Sequence, residues 1–351
     1  MVTACSSPDS TPTVLAAPSP TIAAPATTTT TAAPTTTTST TSTTTPVQVV
    51  LPGSPLDGLP VEDSSLAERR VLAVKIDNHW DARPQSGIDE ADAVYELLVE
   101  AGLTRFLALF HQNDSAYLGS MRSGRPTDPT LLKPLGATFV ISGAQDWVIN
   151  RITSAGVSII GEVRPETFRI SGRSAPHNLY VDTAALREHA DVNGYSNEPP
   201  PALFAWEAWE DISTEEATSI RFDWSQGQQV RWDWTGDEYL RFVGGEPHET
   251  VTRDGDRSQI QTDTLVVLFA PRYTASPSGA GSSVPAMDTV GSGRVLIFSE
   301  GRMRAGSWSR SSIEDPFALA TADGEVLTVP PGRPWISVFP DNRSISWESD
   351  E

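Results

Sequence analysis

Short apolar runs bounded by polar residues dominate the chain from residue 71 onward. The run at 71–76 has the length and flanks of a buried strand, and it places Asp77 and Asn78 at its carboxyl end. Open α/β sheets carry their ligand crevices at the carboxyl ends of strands. The pattern therefore predicts that functional side chains gather just after residue 76.

The next apolar stretch, residues 94–110, is interrupted by Ala101 and Gly102. This interruption favours a β-hairpin, because glycine readily supplies the positive φ that a tight turn needs. A helix over the same residues stays open as an alternative. In either structure Glu96 and Glu100 are four positions apart, so both are predicted to project from the same face.

The pattern changes at a proline-rich segment, residues 199–201. Residues 56–195 mix strand-like runs with helical periodicity at 146–155 and 184–190, which predicts an α/β first domain. Residues 202–345 contain short alternating runs, among them 326–329 and 335–339, which predict a β-rich second domain. We expect the proline-rich segment to hold the two domains at a limited set of angles.

Tryptophan is dense in the second half, where it occurs at positions 206, 209, 224, 232 and 234. Aromatic rings could stack on sugar rings, but cross-strand and core packing is the commoner use of such a stripe. We therefore expect these residues to build the core.

The amino-terminal end has a different composition. Cys5 is the single cysteine and follows Val2-Thr3-Ala4, which resembles the end of a bacterial lipoprotein signal. We expect upstream in-frame sequence to supply its basic and apolar regions, so that residues 1–5 are a remnant of the signal and Cys5 carries the lipid. Residues 6–52 are almost wholly Thr, Ser, Pro and Ala, which predicts a disordered, extended linker. Together these features predict an extracytoplasmic protein anchored to the cell membrane.

The charge balance and the missing motifs restrict the function. The formal net charge is −20, which argues against nucleic acid as a partner. The chain contains no phosphate-binding glycine loop, no dinucleotide fingerprint and no Gly-x-Ser-x-Gly elbow. The five histidines have no zinc-type spacing. We therefore predict no cofactor and no metal.

Charged residues are nevertheless frequent inside the apolar first half, where burial is costly unless the charges pair. The candidate ligand-binding residues are Asp77, Asn78, Arg83, Glu96, Glu100, Arg105, Arg122, Ser123, Arg125, His177 and Asn178. We expect Asp77, Glu96, Arg105, Arg122 and His177 to face one cleft. The alternative is a set of local structural ion pairs.

Several strings resemble the YerB-like family of bacterial lipoproteins, a two-part domain of unknown function. They are KIDNHWDARPQSG from Lys75, ADAVYELLVEAGLTRFLALF from Ala91, GSMRSGRP from Gly119, APHNLYV from Ala175, GSGRVLIFSEGRMRAGSW from Gly291 and PPGRPWISVFP from Pro330. The resemblance covers roughly residues 56 to 341. It implies a location in the cell envelope and an α/β half joined to a β-rich half, and it supplies no reaction.

Two functions remain open. The first is a binding module for an anionic or zwitterionic wall component, such as a peptidoglycan fragment, or for a protein of wall synthesis, with Arg122 and Arg125 as anion contacts. The second is a hydrolase or lyase acting on wall glycan or peptide. It would use Asp77, Glu96 and Glu100 as acid and base groups, assisted by His177.

Overall fold

A computed structural model describes residues 53–61, 63–210 and 212–349. The predicted signal remnant, Cys5 and the predicted linker at 6–52 lie outside these residues. Among the described residues, no helix has both the length and the apolar character needed to cross a membrane.

The helices are short and lie in the first half of the described chain. The α-helices are α1 (Ser64–Ala67), α2 (Asp128–Leu132), α3 (Asp146–Ser154) and α4 (Thr183–Val192). Single turns of 3-10 helix cover Trp80–Ala82, Ile88–Glu90, Glu100–Gly102 and Lys133–Leu135. The start of α4 follows from its sequence, because the side chain of Asp182 accepts a hydrogen bond from the Ala185 N–H and so caps the helix.

Strands make up most of the remaining regular structure. Those of the first half are β1 (Leu72–Asp77), β2 (Ala93–Leu98), β3 (Thr104–Phe110), β4 (Leu118–Gly119), β5 (Thr138–Val140), β6 (Ile159–Ile160), β7 (Thr167–Arg169) and β8 (Leu179–Val181). Those of the second half are β9 (Glu215–Glu216), β10 (Ser219–Ser225), β11 (Gln228–Trp234), β12 (Tyr239–Val243), β13 (Glu246–Pro247), β14 (Glu249–Val251), β15 (Arg257–Gln259), β16 (Gln261–Thr262), β17 (Thr264–Ala270), β18 (Arg272–Ala275), β19 (Val284–Met287), β20 (Gly291–Ser299), β21 (Arg302–Arg310), β22 (Ala318–Ala320), β23 (Pro334–Pro340) and β24 (Ile345–Glu348).

One large sheet runs through both halves, in the order β22-β21-β20-β17-β23-β2-β3-β1-β5-β6, with β9 added beside β21. Strand β23 is the junction, because it pairs in parallel with β17 on one side and with β2 on the other. All seven of its residues are buried. The α/β first half and the β-rich second half therefore share a sheet, and the described residues belong to one compact unit.

The predicted hairpin at residues 94–110 is confirmed. Strands β2 and β3 pair antiparallel, with Leu98 opposite Thr104. The turn between them contains Ala101 with φ 56° and Gly102 with φ 73°. The predicted strand at 326–329 is wrong, because these residues make only isolated bridges, from Val326 to Ala320 and from Val329 to Trp206.

The large sheet separates two apolar cores. On one face it packs against the sheet β13-β12-β11-β10-β24, and the rings of Trp224, Trp232 and Trp335 are buried there. On the other face it packs against α2 and α3, with residues such as Leu131 and Ile152. Trp224 and Trp232 are fully buried, so the predicted core role is confirmed for both. Successive residues of β1, β2 and β3 alternate between these cores, and this alternation decides where the charged side chains go.

Candidate functional site

The candidate site forms where β1 ends. Residues following β4 align with this end of the strand, since the Asp77 N–H donates to the Ser120 carbonyl (2.9 Å) and the Arg122 N–H donates to the Lys75 carbonyl (2.7 Å). This alignment brings the two side chains together, with Nε of Arg122 2.9 Å from Oδ2 of Asp77. The predicted position of Asp77 at the end of a buried strand is confirmed.

A second loop brings His177 to the same carboxylate. The Met121 N–H donates to the Leu179 carbonyl (2.6 Å), which holds the start of β8 beside the β1 end. Nδ1 of His177 then lies 2.8 Å from Oδ2 of Asp77. Asp77 is buried, and its Oδ1 also accepts the His79 N–H at 3.1 Å. The Asp77 carboxylate thus contacts both Arg122, which is cationic, and His177, which is cationic when protonated.

Two further arginines complete the group. Arg105 lies opposite Asp77 in the β1–β3 ladder and donates from Nη1 to the Ser123 carbonyl at 2.9 Å. Arg125 pairs with Glu100, with Nε 2.9 Å from Oε2. Burial, followed by the charge of Arg125, lowers the pKa of Arg105 to about 10, so Arg105 stays charged at neutral pH.

The pKa of Glu100 reports the same positive surroundings. Burial acts to raise this pKa, but the charge of Arg125 and its hydrogen bond bring it below the usual value. Glu100 is therefore ionised at neutral pH and serves as the counter-ion of Arg125.

We call Asp77, Glu100, Arg105, Arg122, Arg125 and His177 the arginine cluster. Its three guanidinium groups face only two carboxylates. The nearby Asp128 does not offset this excess, because it is buried and paired with Lys75, Nζ to Oδ1 being 2.7 Å. The Arg122 side chain makes no hydrogen bond to another described residue: its Nε meets Asp77 as an ion pair only, its two terminal nitrogens have no acceptor, and it is 22% exposed. The cluster thus carries local positive charge and free donors in a chain whose net charge is −20.

Glu96 does not join this cluster, so the expectation of a single cleft is wrong for this residue. Asp77 pairs with Arg105, whereas Glu96 pairs with Phe106. Adjacent ladder positions project to opposite faces, so Glu96 and Asp77 point into different cores. Glu96 and Glu100 do not share a face in a common site either, because Glu100 already belongs to the turn.

On the opposite face Glu96 has a complete set of partners. Its Oε1 accepts from Thr104 at 2.7 Å and from Nη2 of Arg241 at 2.9 Å. Its Oε2 accepts from Nε1 of Trp335 at 2.8 Å. Arg241 also donates from Nε to Nδ1 of His248 at 2.9 Å. Glu96 and Arg241 are fully buried, which makes this a structural ion pair between the first and second halves of the chain.

We call the residues around this pair the buried cluster. It comprises Asn78, Arg83, Gln85, Glu96, Thr104, Gln228, Arg241, His248 and Trp335. Burial, followed by the charge of Arg241, lowers the pKa of Arg83 to about 10. Burial also lowers the pKa of Arg241, and the charge of Glu96 opposes this shift.

Residues 56–196 match the family described as "Protein of unknown function (DUF3048) N-terminal domain", and residues 218–336 match its C-terminal domain. The chain belongs to the DUF3048 family. It is 26% identical over 305 residues to "Putative lipoprotein YerB" of Bacillus subtilis (strain 168), covering 85% of this chain and 89% of that protein. It is also similar to the solved structure described as "Crystal structure of YerB protein from Bacillus subtilis", with a TM-score of 0.72 and 25% identity. That similarity covers 84% of this chain and 99% of the solved one.

Besides Glu96, three further predicted site residues of this DUF3048 chain lie outside the arginine cluster. Asn78 is buried and donates to Thr104 at 2.7 Å, and Arg83 donates to Asn78 Oδ1 at 2.9 Å, so both belong to the buried cluster. Asn178 accepts from Arg169 at 2.9 Å and stabilises the turn before β8. Ser123 contributes through its backbone carbonyl, which accepts from Arg105 and Arg125.

Two residues that the sequence pattern did not single out stand beside the cluster. The ring of His79 stacks on that of His177, with centroids 4.8 Å apart. Asp81 follows in the same 3-10 turn, and its side chain is 63% exposed. His79 and His177 are far apart in sequence, so a search for closely spaced metal ligands misses them. The sequence holds one signal for His79 and Asp81, namely that both lie within four positions of the predicted site residue Asp77.

Proposed function

We propose that this DUF3048 protein is an extracytoplasmic binding module that recognises an anionic group of a cell-wall component. One observation carries the proposal: the arginine cluster has more guanidinium groups than carboxylates, and Arg122 keeps two terminal nitrogens without an acceptor among the described residues. Planar guanidinium donors match carboxylate and phosphate oxygens. Peptidoglycan peptides carry carboxylates and wall polymers carry phosphates, so both are suitable ligands.

The three arginines have different roles in this proposal. Arg125 is committed to Glu100 and to the backbone carbonyls of Ser123 and Gly124, so it positions the loop. Arg122 contacts only Asp77 through Nε and is the main anion contact. Arg105 holds Ser123 through one nitrogen and contributes a second, more deeply buried charge.

Binding is favoured over hydrolysis because the carboxylates named for catalysis are engaged elsewhere. Glu96 is saturated within the buried cluster. Glu100 is paired with Arg125. Asp77 with His177 is the one acid–base pair left from the set, and a two-carboxylate mechanism needs a second carboxyl group across the scissile bond. Release of labelled fragments from purified sacculi would support the hydrolase alternative instead.

Membrane anchoring through a diacylated Cys5 completes the proposal. It is supported by the residues Val2-Thr3-Ala4-Cys5 and by the word lipoprotein in the name of the Bacillus relative. Two acyl chains suffice for stable anchoring, where one is marginal. Mass spectrometry of the native protein should find Cys5 at the mature amino terminus with its diacylglycerol. An unmodified Cys5 in the native protein would contradict this part of the proposal.

Calorimetric titration with muropeptides and with phosphate-bearing wall fragments tests the binding site. We expect Arg122→Ala to weaken the affinity for the anion at least about tenfold, because a hydrogen bond to a charged group contributes about 1.5–3 kcal/mol. Arg231→Ala is the matched control, since Arg231 is also partly exposed but pairs with Asp233 through both Nε and Nη2, with Nη2 2.8 Å from Oδ2. Unchanged affinity in Arg122→Ala, or equal losses in the two variants, would overturn the assignment of the site.

A further inference from the structure

A group of potential metal ligands shares His177 with the arginine cluster. His79, Asp81 and His177 each offer a ligand atom, and these three atoms lie within 4.8 Å of one another. Nδ1 of His79 is 3.5 Å from Oδ2 of Asp81. That separation is close to the distance between two donors on one small cation, so little movement is needed for both to bind the same ion.

The ring of His79 presents Nδ1 to the Asp81 residue. Nδ1 of His79 accepts a hydrogen bond from the backbone N–H of Asp81 at 3.2 Å, and Oδ2 of the same residue lies 3.5 Å from this nitrogen. The carboxylate oxygen opposite it is also an acceptor. Two acceptors that face each other gain stability from a cation placed between them, and the long 3.2 Å hydrogen bond is readily replaced.

His177 is oriented as metal-binding histidines commonly are. Its Nδ1 lies 2.8 Å from Oδ2 of the buried Asp77. In the tautomer that donates from Nδ1 to Asp77, the lone pair of Nε2 is free to bind an ion. A carboxylate behind an imidazole fixes the tautomer and strengthens the ring as a ligand.

We propose that His79, Asp81 and His177 bind a divalent transition-metal ion of the zinc class, with water completing the coordination. Two imidazoles and one carboxylate suit zinc, cobalt, nickel or copper better than magnesium or calcium. Three protein ligands with an open position are typical of accessible zinc sites. The site is reachable from solvent, because the side chains of His79 and Asp81 are 23% and 63% exposed.

The ion would extend the arginine cluster. His177 and Arg122 both contact Asp77 Oδ2, so a cation on His177 would lie next to the proposed anion contact. The two sites share Asp77 as a support, but they bind through different atoms, since none of the three metal ligands is an arginine. The two proposals therefore succeed or fail separately.

Titration of the chelator-treated full chain with Zn²⁺ alone, followed by calorimetry, tests the site. We expect one equivalent to bind and His79→Ala, Asp81→Ala and His177→Ala each to weaken binding at least about tenfold. Co²⁺ should give a visible absorption spectrum that His177→Gln abolishes, and this variant keeps a side-chain donor for Asp77. Circular dichroism of each variant checks that the fold is retained.

Two controls make the result specific. His189→Ala should leave Zn²⁺ affinity unchanged, because His189 has a similar 22% exposure and faces a single carboxylate, Glu166, at 3.4 Å. Arg122→Ala should also keep the one-equivalent stoichiometry. Absence of stoichiometric Zn²⁺ binding, or equal affinity in folded His177→Gln and in the wild type, would overturn the proposal.

Discussion

The arginine cluster and the buried cluster lie on opposite faces of the same three strands, and both hold more guanidinium groups than carboxylates, yet the donors of their arginines are satisfied differently. In the buried cluster Arg241 pairs with Glu96 and His248, and its guanidinium carbon lies 4.9 Å from the centre of the Trp335 ring. The one nitrogen of Arg241 without an acceptor, Nη1, is buried, and the guanidinium group lies near the rings of Phe106, Trp232 and Trp335. In the arginine cluster both terminal nitrogens of Arg122 have no acceptor among the described residues, and this side chain is 22% exposed.

This difference separates a structural charge from a binding charge. A buried ion pair must be nearly complete, because each unpaired charge in the core is costly. A partly exposed cluster can leave donors unpaired, because water satisfies them until a ligand replaces it. We infer that Glu96 and Arg241 hold the two halves together, while Arg122 is available for recognition.

The largest expected effect is on stability. Glu96→Gln keeps the shape of the side chain but leaves the Arg241 charge without a counter-ion in the core. We expect it to lower the free energy of unfolding by about 3–5 kcal/mol. Arg122→Ala, its counterpart in the arginine cluster, should cost about 1 kcal/mol or less, because Arg122 is partly exposed and the buried Asp77 keeps its contact with His177. Urea denaturation of both variants measures the difference.

Equal losses in the two variants would break the comparison. A small loss in Glu96→Gln would mean that the buried pair contributes little. A loss of several kcal/mol in Arg122→Ala would mean that the arginine cluster is structural as well.

The next effect is a pH dependence that belongs to the buried cluster. Burial, reinforced by the charges of Arg241 and Arg83, lowers the pKa of His248 well below its usual value of 6.5. Below that pH the unfolded chain takes up a proton at this position and the folded chain does not, so stability falls as the pH falls. The expected loss is about 1.4 kcal/mol for each pH unit below 6.5.

His248→Gln should remove this contribution. Denaturation at pH 7.5, 6.0 and 5.0 should give a stability profile that falls less steeply on acidification than that of the wild type. His111, whose pKa burial lowers to about 4, acts in the same direction in both proteins and cancels from the difference. Identical slopes would show that His248 is protonated in the folded chain or is not buried as described.

Local features of the fold were predictable because their causes are local. The strand ending at Asp77, the hairpin turn at Ala101-Gly102 and the cap of α4 at Asp182 all follow from a few neighbouring residues. The family resemblance rested on such local strings and is confirmed by the matches to both parts of the family. The convergence of Asp77, Arg122 and His177 was also predicted, because each adjoins the end or start of an apolar run.

The partners of Glu96 were not predictable from the local pattern. Its carboxylate meets Arg241 from the second half, 145 positions away, and Trp335, 239 positions away. Both contacts depend on β23 joining the sheet beside β2 and on the second sheet packing over it. One part was predictable from the alternation of side chains along the hairpin. In its register Glu96 lies opposite Phe106 and Arg105 lies opposite Leu97, so Glu96 and Arg105 project to opposite faces.

The central claim is that the arginine cluster binds anions and the buried cluster does not. It is tested most directly by following the Nε–Hε resonances of Arg122 and Arg241 in the full chain during titration with inorganic phosphate. Loss of one resonance in Arg122→Lys and of the other in Arg241→Lys assigns the signals. We predict a saturable shift of the Arg122 resonance with no change at Arg241. An unmoved Arg122 resonance, or an equal shift at Arg241, would contradict the account.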